Sequence, residues 1–402
     1  MTTTNDPESR KTLGIYAHIP FCVRKCGYCD FLSFENESAS AHKAYVKALT
    51  DEIKGYGPVY CDKYLVDTLF IGGGTPSLLL PGMIGEIISA VGYSFNTDAN
   101  TEVTIEANPK TLSAAKLEGY LAAGVNRISI GAQSFNDSIL KILGRVHLTD
   151  DVYKNYKTAR EAGFKNINLD LMFGIPGQSI DVWKETLDIA AGLEPEHISF
   201  YGLQIEEGTK FYEAYGEGQG KLSDEDDREM YHYAVRELSR TGYLHYEISN
   251  AAKPGYECRH NIKYWSLAEY LGAGLGAHTY IAGERRSNIK DLDKYPGLNT
   301  GGLDKPEGSV KLFEWRHENS FSDDVSEYMF TGLRMMKGIN LKDFEGRFGQ
   351  TPADIYKKEW PAVEKYVKDG YLTADGVNLR LTEKGIDISN RIMSEFVILN
   401  RK

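Results

Sequence analysis

Three cysteines near the start of the chain form the group whose residue type and spacing best indicate chemistry. Cys22, Cys26 and Cys29 have the spacing C-x3-C-x2-C within one short segment. Three thiolates on one loop can bind three irons of a 4Fe-4S cluster, because soft sulfur ligands favour such clusters. The fourth iron would then lack a nearby protein thiolate, and an open coordination position makes a metal centre reactive.

A zinc site and a disulfide both fit the cysteine segment less well. A zinc site usually has a fourth Cys or His at paired spacing, and gaps of three and then two residues are unusual for it. Disulfides are disfavoured because the two remaining cysteines, Cys61 and Cys258, stand alone in a chain whose first residues show no secretory signal. The pattern favours an iron–sulfur protein of a reducing compartment, and we expect a cytoplasmic location.

The overall composition limits the classes of partner. The 402 residues suffice for one large domain and a smaller one. A net charge of −11 repels polyanions, so we expect no nucleic-acid partner. No segment of about 18 apolar residues is present, so we expect no membrane-spanning helix. The polar segment 1–11 is predicted to be a disordered N-terminus and not a signal peptide.

Short apolar β-type segments alternate with helical patterns over the first two hundred or so residues of the chain. The predicted strands are Gly14–Ile19, Val66–Ile71, Glu102–Ala107, Arg127–Gly131, Asn166–Met172 and His197–Gln204. The predicted helices are Ala39–Gly55, Gly82–Val91, Leu112–Ala123, Val152–Gly163 and Asp181–Ala191. This order predicts an α/β fold with a parallel sheet covered by helices. A doubly wound open sheet would produce the same alternation.

Polar and glycine-rich segments follow the carboxyl ends of successive predicted strands. In strand order these segments are the cysteine trio, Gly72–Thr75, Asn108–Pro109, Gln133–Ser134 and Gly174–Gly177. Such segments would meet at the mouth of a (β/α) barrel, so their placement favours a barrel. Two side chains nearby suit a small polar ligand: Glu106 can accept hydrogen bonds from a ribose or an ammonium group, and the planar fork of Arg145 can bind a carboxylate.

The cysteine segment and its flanks resemble those of radical S-adenosylmethionine (SAM) enzymes, in which SAM chelates the open iron. The flanks Tyr16–Phe21 and Asp30–Phe31 are similar to the anaerobic coproporphyrinogen III oxidase-like family, which includes the HemN dehydrogenases and the HemW haem chaperones. Gly72–Pro76 and Glu106–Pro109 match that family's GGGTP and EANP segments. The resemblance implies a partial, six-stranded (β/α) TIM-like barrel at 12–282, open on one side, which holds the 4Fe-4S cluster and SAM.

The same resemblance implies which residues contact SAM. Gly72 belongs to the GGGTP segment that lies against the methionine amino group. Positions at the cluster-bound SAM are matched by Tyr16, Gly73, Glu106 and Gly202. Positions near a second SAM of the dehydrogenases are matched by Tyr28, Gly74, Thr75, Gln133, Arg145 and Asp170. Whether this chain holds one or two SAM molecules, and whether it cleaves SAM, stays open.

Two features favour the chaperone branch over the dehydrogenases. The cysteine pattern of the dehydrogenases is C-x3-C-x2-C-x-C, with a fourth cysteine two residues after the third. Phe31 occupies that fourth position here. His260–Trp265 fits the H-N-x-x-Y-W segment that marks HemW-like proteins and is associated with haem binding. The His260 imidazole could ligate haem iron, and Lys263 or Arg259 could pair with a propionate. A histidine near aromatic residues is often structural, however, and Cys258 is an alternative thiolate ligand.

The remainder of the chain contains a polar segment and a second set of elements. Residues 283–310 are rich in Gly, Asn, Asp and Lys and predict a linker or surface loop. Within 311–402 we predict helices at Val325–Met336, Leu341–Phe348, Ala362–Asp369 and Lys384–Leu399, with a hairpin at Tyr371–Thr382. This order resembles a winged-helix-like domain of the HemN and HemW type. Thirteen basic and thirteen acidic residues from Asp323 to Lys402 argue against DNA binding.

The resemblance therefore implies a haem chaperone that delivers haem to haem-accepting proteins such as respiratory cytochromes. The alternative is an oxygen-independent coproporphyrinogen III dehydrogenase, which decarboxylates two propionates to vinyl groups. A radical SAM enzyme that modifies nucleic acid is disfavoured by the acidic charge. The resemblance also allows a homodimer and a peripheral location at a membrane face.

Overall fold

A computed structural model describes residues 10–398 except 217, 219, 221, 299 and 301–310. In chain order its strands are β1 (Lys11–Ile19), β2 (Phe21–Cys22), β3 (Phe34–Glu35), β4 (Tyr64–Gly73), β5 (Asn96–Ala107), β6 (Arg127–Gln133), β7 (Ile167–Phe173), β8 (His197–Gly202), β9 (Leu244–Glu247), β10 (Asn250–Ala252), β11 (Tyr270–Ala273), β12 (His278–Ile281), β13 (Glu284–Asn288), β14 (Phe313–Glu318), β15 (Ile339–Asn340), β16 (Leu372–Ala374) and β17 (Asn378–Leu381).

The helices cover the faces of this sheet and build the C-terminal region. In chain order they are α1 (Ala39–Tyr60), α2 (Pro81–Ser94), α3 (Ala114–Ala123), α4 (Asp137–Ile142), α5 (Thr149–Ala162), α6 (Ile180–Gly192), α7 (Lys210–Tyr215), α8 (Asp224–Arg240), α9 (Arg259–Trp265), α10 (Phe321–Gly332), α11 (Leu341–Phe348), α12 (Pro352–Ile355), α13 (Trp360–Lys368), α14 (Glu383–Ile386) and α15 (Ser389–Ser394). Short 3-10 turns lie at Pro76–Leu78, Pro109–Thr111 and Tyr295–Gly297.

The main sheet has twelve strands in the order β14-β13-β12-β11-β1-β4-β5-β6-β7-β8-β10-β9. Neighbouring strands from β11 to β8 pair in parallel, and the outer strands pair antiparallel. The six predicted strands and the predicted α/β fold are confirmed. Strand β11 is a further parallel strand that was not predicted, since its four residues Tyr270–Ala273 are too few for a periodicity to be detected.

Continuous apolar stretches explain why these segments form interior strands. Every residue of β6 is buried, and β7 is buried except at Asp170. Strands covered on both faces cannot alternate between apolar and polar residues, so they form unbroken hydrophobic segments. The interior core between sheet and helices includes Ile15, Ile71, Ile105, Ile130, Leu169, Ile198, Trp183 and Leu187.

The predicted linker at 283–310 is wrong in its first part. Glu284–Asn288 is strand β13, which pairs antiparallel with β12 and β14 and extends the main sheet. The segment has no apolar residue, but Arg286 is buried with its guanidinium 4.7 Å from the centre of the Phe313 ring. A strand that is buried through an arginine gives no hydrophobic pattern in the sequence. Residues 301–310 lie outside the described part of the chain, as do residues 1–9 of the predicted disordered N-terminus.

The C-terminal region is mostly helical and has its own core. That core includes Val325, Met329, Phe344, Val363, Leu379 and Phe396. The predicted helix Leu341–Phe348 is confirmed, and the predicted hairpin is the pair β16 and β17, joined by β15 as a third strand. The predicted helix Lys384–Leu399 is instead two short helices, α14 and α15, within the described residues. None of the helices of the described chain has the length and hydrophobicity to cross a bilayer.

Glu52 ties helix α1 to the segments around β11 and β13. Its carboxyl group is buried and accepts hydrogen bonds from the Tyr295 hydroxyl at 2.5 Å, the Asn288 amide at 2.7 Å, the Gly274 backbone at 3.0 Å and the Tyr56 hydroxyl at 3.1 Å. Burial raises the pKa of Glu52 although the four donors oppose that shift. A buried carboxyl group is tolerated here because its hydrogen bonds are satisfied.

We expect Glu52→Leu to lower the free energy of unfolding by about 3 kcal/mol, because buried donors lose their acceptor. Urea unfolding followed by circular dichroism measures the change. The matched control is Asp51→Ala, which removes an exposed helical ion pair with Lys47 and should cost less than about 0.5 kcal/mol. Equal unfolding midpoints for the two variants would contradict this role of Glu52.

Candidate functional site

A cavity of about 400 Å³ opens where the parallel strands end. Its lining combines the cysteine loop with residues that follow strands β4 to β8. It brings together most of the predicted site residues, namely Cys22, Cys26, Tyr28, Cys29, Gly73, Gly74, Thr75, Glu106, Gln133, Arg145, Asp170 and Gly202. These positions therefore line one cavity, whereas the predicted segment Gly174–Gly177 lines neither this cavity nor the second one described below.

The cysteine loop leaves β2 and is anchored from outside. The Gly27 backbone donates to the Leu143 carbonyl at 3.3 Å, and the Arg24 guanidinium donates to the Gly144 carbonyl at 2.6 Å. Within the loop, the Cys29 backbone donates to the Cys26 carbonyl at 3.2 Å. The segment after α4 thus fixes the backbone that carries the three cysteines.

The three cysteines carry free, half-buried thiols with polar neighbours. Thr75 Oγ1 donates to Cys22 Sγ at 3.6 Å, and Arg145 donates to Cys26 Sγ at 3.5 Å. Burial raises the pKa of Cys22, and burial raises the pKa of Cys29 to about 11. Three sulfur donors with hydrogen bonds to two of them suit an iron–sulfur cluster, whose binding would displace the thiol protons.

A site for a single metal ion is a different arrangement from three thiols around a cluster. Within the described residues, no three His, Cys, Asp or Glu side chains converge on a position for a single metal ion.

The glycine segment at the carboxyl end of β4 lies close to the His18 ring and to the start of the cysteine loop. Gly73 has φ of +116°, and a Cβ there would lie 2.5 Å from the His18 ring. A Cβ on Gly74 would lie 2.7 Å from the Phe21 carbonyl and 3.1 Å from Cys22 Sγ. Only glycine allows both the left-handed backbone at Gly73 and this close approach to the cysteine loop. Gly72 does not line the cavity and packs against Glu106 and Phe70.

Glu106 and Asp170 place two carboxyl groups in the wall of the cavity. Burial, and then the charge of Asp170, raise the pKa of Glu106 to about 7. The Gly73 backbone donates to Glu106 at 2.9 Å and opposes this shift. Burial likewise raises the pKa of Asp170, which accepts hydrogen bonds from Ser129 at 2.9 Å and Asn168 at 2.8 Å. Glu106 therefore titrates near neutral pH, whereas the carboxyl group of Asp170 is hydrogen-bonded to Ser129 and Asn168.

Arg145 and Gln133 add a cationic and a neutral polar side chain to the lining of the cavity. Arg145 donates to the Gly131 carbonyl at 2.9 Å, while its Nε is buried without a hydrogen-bond partner among the described residues. Gln133 accepts a hydrogen bond from the Tyr201 hydroxyl at 3.0 Å and has a positive φ of 66°. Tyr28 packs edge-on against Phe211 at 6.1 Å. A guanidinium with a free donor suits a carboxylate ligand.

Tyr16 lines a second, inner cavity of about 320 Å³. The two cavities share Phe31, Gly73, Glu106, Ser129 and Asp170 as lining residues. They are therefore adjoining lobes of one site, and Tyr16 belongs to the inner lobe.

His260 lies outside both cavities. The residue is buried, its Nδ1 lies 2.8 Å from the Thr68 hydroxyl and its Nε2 lies 2.8 Å from the Tyr264 hydroxyl. Burial, and then the charge of Lys263, lower the pKa of His260 to about 3, so the imidazole is neutral. Both ring nitrogens are engaged. The His260 ring lies 6.5 Å from that of Tyr16, a predicted site residue, but His260 itself lines neither cavity.

The neighbours proposed for a haem propionate or for haem iron are engaged as well. Lys263 pairs with Asp67 at 2.7 Å, and Arg259 approaches the same carboxylate at 3.5 Å. Cys258 is buried with its thiol 3.8 Å from Glu102. In this conformation the predicted haem-contacting residues His260, Lys263, Arg259 and Cys258 all make internal contacts, whereas Asn261 and Tyr264 of the same segment line the inner cavity.

Several polar residues that line the site were not predicted from the sequence, among them Tyr201 and Arg127. Tyr201 lines the outer cavity at the end of β8, so its place at a strand end could have revealed it. Arg127 lines the inner cavity, but it is the first residue of β6. The rule that site residues follow the carboxyl ends of parallel strands does not predict a residue at the amino end of a strand.

The cysteine variants test the assignment of the ligands. We expect Cys22→Ala, Cys26→Ala and Cys29→Ala each to abolish cluster assembly, because a cluster on three thiolates cannot lose one and remain anchored. Iron and sulfide content per chain after anaerobic reconstitution measures this. Cys61→Ala and Cys258→Ala are the matched controls and should keep the full content. Full iron content in Cys26→Ala would contradict the assignment.

The titration of Glu106 predicts a pH dependence for SAM binding. Below a pKa of about 7 the group is protonated, and above it the carboxylate is available to an ammonium group or a ribose. We expect SAM affinity to rise about tenfold as pH increases across this value, and Glu106→Gln to remove the rise. Equilibrium dialysis at several pH values checks this. A pH profile that Glu106→Gln leaves unchanged would exclude Glu106 as its source.

Comparisons with known proteins agree with this architecture. The radical SAM superfamily profile matches residues 16–190, and the HemN C-terminal domain profile matches residues 320–388. The chain is 36% identical over 387 residues to the heme chaperone HemW of Bacillus subtilis (strain 168), covering 95% of this chain and 98% of that protein. It is 34% identical over 391 residues to the heme chaperone HemW of Escherichia coli (strain K12), covering 96% and 98% respectively.

A solved structure supports the fold. Coproporphyrinogen III oxidase (HemN) from Escherichia coli, a radical SAM enzyme, superposes with a TM-score of 0.80 over 97% of this chain and 91% of that chain at 23% identity. At that identity the likeness concerns the fold alone. The full-length similarity to the chaperones is closer, and the chain belongs to the HemW family of the radical SAM superfamily.

Proposed function

We propose that this chain is a haem chaperone that holds a 4Fe-4S cluster and SAM in the two-lobed cavity and passes haem to other proteins. The observation that carries the proposal is the full-length similarity to heme chaperones HemW, at 36% and 34% identity over at least 95% of the chain. Coproporphyrinogen dehydrogenation is the alternative, and it has only the fold in its support.

The cluster would be held by Cys22, Cys26 and Cys29. When bound with SAM, it would supply one-electron chemistry to the site. The protein's own contribution is to orient and shield: Thr75 and Arg145 donate hydrogen bonds to two of the sulfurs, and the loop is anchored to the segment after α4. Hydrogen bonds to ligating sulfurs tune such a centre and limit access of water.

SAM would lie across the shared lining of the two lobes. Glu106, with Gly73, Tyr16 and Gly202, would contact the cluster-bound molecule, since a carboxylate suits an ammonium group or a ribose diol. Arg145 would pair with a carboxylate, because its Nε has no partner and its fork is planar. The outer-lobe residues Tyr28, Gly74, Thr75, Gln133 and Asp170 complete the proposed SAM surface.

Phe31 supports the choice of chaperone over dehydrogenase. It occupies the position at which the dehydrogenase pattern has a fourth cysteine. Its side chain is 62% exposed and lines both lobes. An exposed aromatic ring at a cavity mouth suits contact with a flat apolar ligand and does not supply a further thiolate.

The finer assignments extend this proposal. The proposed recipients of haem are haem-accepting proteins such as respiratory cytochromes, and the proposed assembly is a homodimer. His260 is the proposed haem ligand in a conformation in which α9 has rearranged, because both of its ring nitrogens are engaged here. We propose a cytoplasmic location, with peripheral contact at a membrane face, because free thiols persist in a reducing compartment.

The test compares haem binding with turnover under anaerobic conditions. The reconstituted protein should give a saturable haem absorbance change on titration and transfer that haem to an apo-cytochrome, with no protoporphyrinogen formed from coproporphyrinogen III, SAM and a strong reductant. Phe31→Cys, which restores the dehydrogenase spacing, should also give no product. Stoichiometric vinyl product from the unaltered protein would overturn the proposal in favour of the dehydrogenase.

A further inference from the structure

The inner lobe contains a buried cation that the proposed SAM site does not use. Arg127 lines this lobe, and its side chain is 2% exposed. Its Nε is buried without a hydrogen-bond partner, and no ion pair or side-chain hydrogen bond joins Arg127 to any residue of the described chain. Guanidinium groups stay charged in proteins, so this is a buried charge that faces a cavity and lacks a direct hydrogen-bonded partner at its Nε.

The carboxyl groups nearest to Arg127 are committed to other partners. Glu102 accepts hydrogen bonds from the backbones of Arg259 and His260, both at 3.2 Å. Asp170 accepts from Ser129 and Asn168. Burial opposes the charge of Arg127, but nearby groups that include Cys258, Glu102 and Asp170 outweigh this effect and raise the pKa of Arg127. What its Nε lacks is a direct hydrogen-bonded partner, which a ligand carboxylate would supply.

The H-N-x-x-Y-W segment builds another wall of the same lobe. Asn261 and Tyr264 both line it. His260 holds the Tyr264 hydroxyl at 2.8 Å, and its ring stacks on Phe70 at 5.3 Å, while Phe70 itself faces the lobe. The segment therefore positions an aromatic and amide surface beside Arg127, with His260 as a positioning residue.

We propose that the inner lobe is a carboxylate-binding subsite in which the Arg127 guanidinium pairs with a ligand carboxylate beside Asn261 and Tyr264. The planar fork of arginine matches a carboxylate bidentately, and the rings of Tyr16, Phe70 and Tyr264 suit the apolar arm that carries it. The lobe of about 320 Å³ adjoins the outer cavity, so a ligand seated at the mouth can extend one arm inward.

Two ligands of the proposed function carry such a group, so the choice between them rests on that function. One is a tetrapyrrole, whose propionates are carboxylates on short flexible arms. The other is SAM, whose methionine end carries an α-carboxylate. The shared chemistry is the carboxylate, and the experiment separates the sources.

The first experiment compares haemin with its dimethyl ester, which lacks free carboxylates, on the full-length reconstituted protein. If the propionate is the group bound, haemin should bind at least about tenfold tighter than the ester, since a charge-assisted pair of hydrogen bonds is lost with the ester. Arg127→Met should weaken haemin about tenfold, leave the ester unchanged and so abolish the difference. Arg127→Lys, which keeps the charge without the fork, should retain part of it. If Arg127→Met fails to fold, haemin and ester binding to the unaltered protein and to Arg127→Lys still test the pairing.

SAM titration identifies the other source. A loss of SAM affinity in Arg127→Met with unchanged haemin binding assigns the subsite to the SAM carboxylate. Unchanged affinity of Arg127→Met for both ligands overturns the subsite. Arg286→Met is the matched control, because Arg286 is also buried with an unpartnered Nε but lies on β13, outside both lobes. It should bind every probe as the unaltered protein does.

A small carboxylate fragment tests the subsite independently of haem binding. By ligand-observed NMR, 3-phenylpropanoate should bind the unaltered protein, whereas 3-phenylpropanamide and the Arg127→Met variant should show no binding. If haemin does not bind at all but the fragment and its dependence on Arg127 persist, the haem function fails and the subsite stands. If the acid and the amide behave alike and SAM affinity is independent of Arg127, the subsite is overturned.

Discussion

The parallel pairing of β1 with β4 is the interaction on which the rest of the site depends. Its register places His18 opposite Gly72 and Ile19 opposite Gly73, and the Gly74 backbone then donates to the Ile19 carbonyl at 2.9 Å. These contacts bring the glycine segment against the cysteine loop that follows β1. The remaining parallel strands end at the same edge, so Glu106, Gln133, Asp170 and Gly202 line one cavity together with the three cysteines.

Several charged side chains of the site lie on the interior strands of the sheet. Glu106, Arg127 and Asp170 all lie on interior strands, in a setting where unpaired charges are costly. Asp170 is satisfied by Ser129 and Asn168, and Glu106 lowers its own cost by titrating near neutral pH. Nearby groups that include Cys258, Glu102 and Asp170 offset the burial of Arg127, but its Nε has no hydrogen-bond partner. This contrast in hydrogen bonding divides the interior into groups that stabilise the fold and groups that are available to a ligand.

The elements that the sequence predicted well have strong local signals. Strands such as β6 and β7 are continuous apolar segments, and helices α1, α2, α3, α5 and α6 follow them with regular spacing. The misses have weak local signals: β13 is Glu-Arg-Arg-Ser-Asn and is buried through Arg286, and β11 is four residues long. The His260 hypothesis rests on a motif, and a motif does not report which side of α9 faces a cavity.

The sequence by itself determined the family, the α/β order of elements and the cysteine trio, because spacing, strand periodicity and motif are properties of the chain read in one dimension. Only the tertiary structure decided which polar residues share a cavity and which already have partners. His260 and Arg127 illustrate the difference. The sequence favours the histidine of a recognised segment over an arginine that begins a strand. Packing nevertheless engages both nitrogens of His260 and leaves the Nε of Arg127, which lines the inner lobe, without a hydrogen-bond partner. Hydrogen-bond satisfaction depends on neighbours far apart in the chain, so it is established only when the strands are assembled.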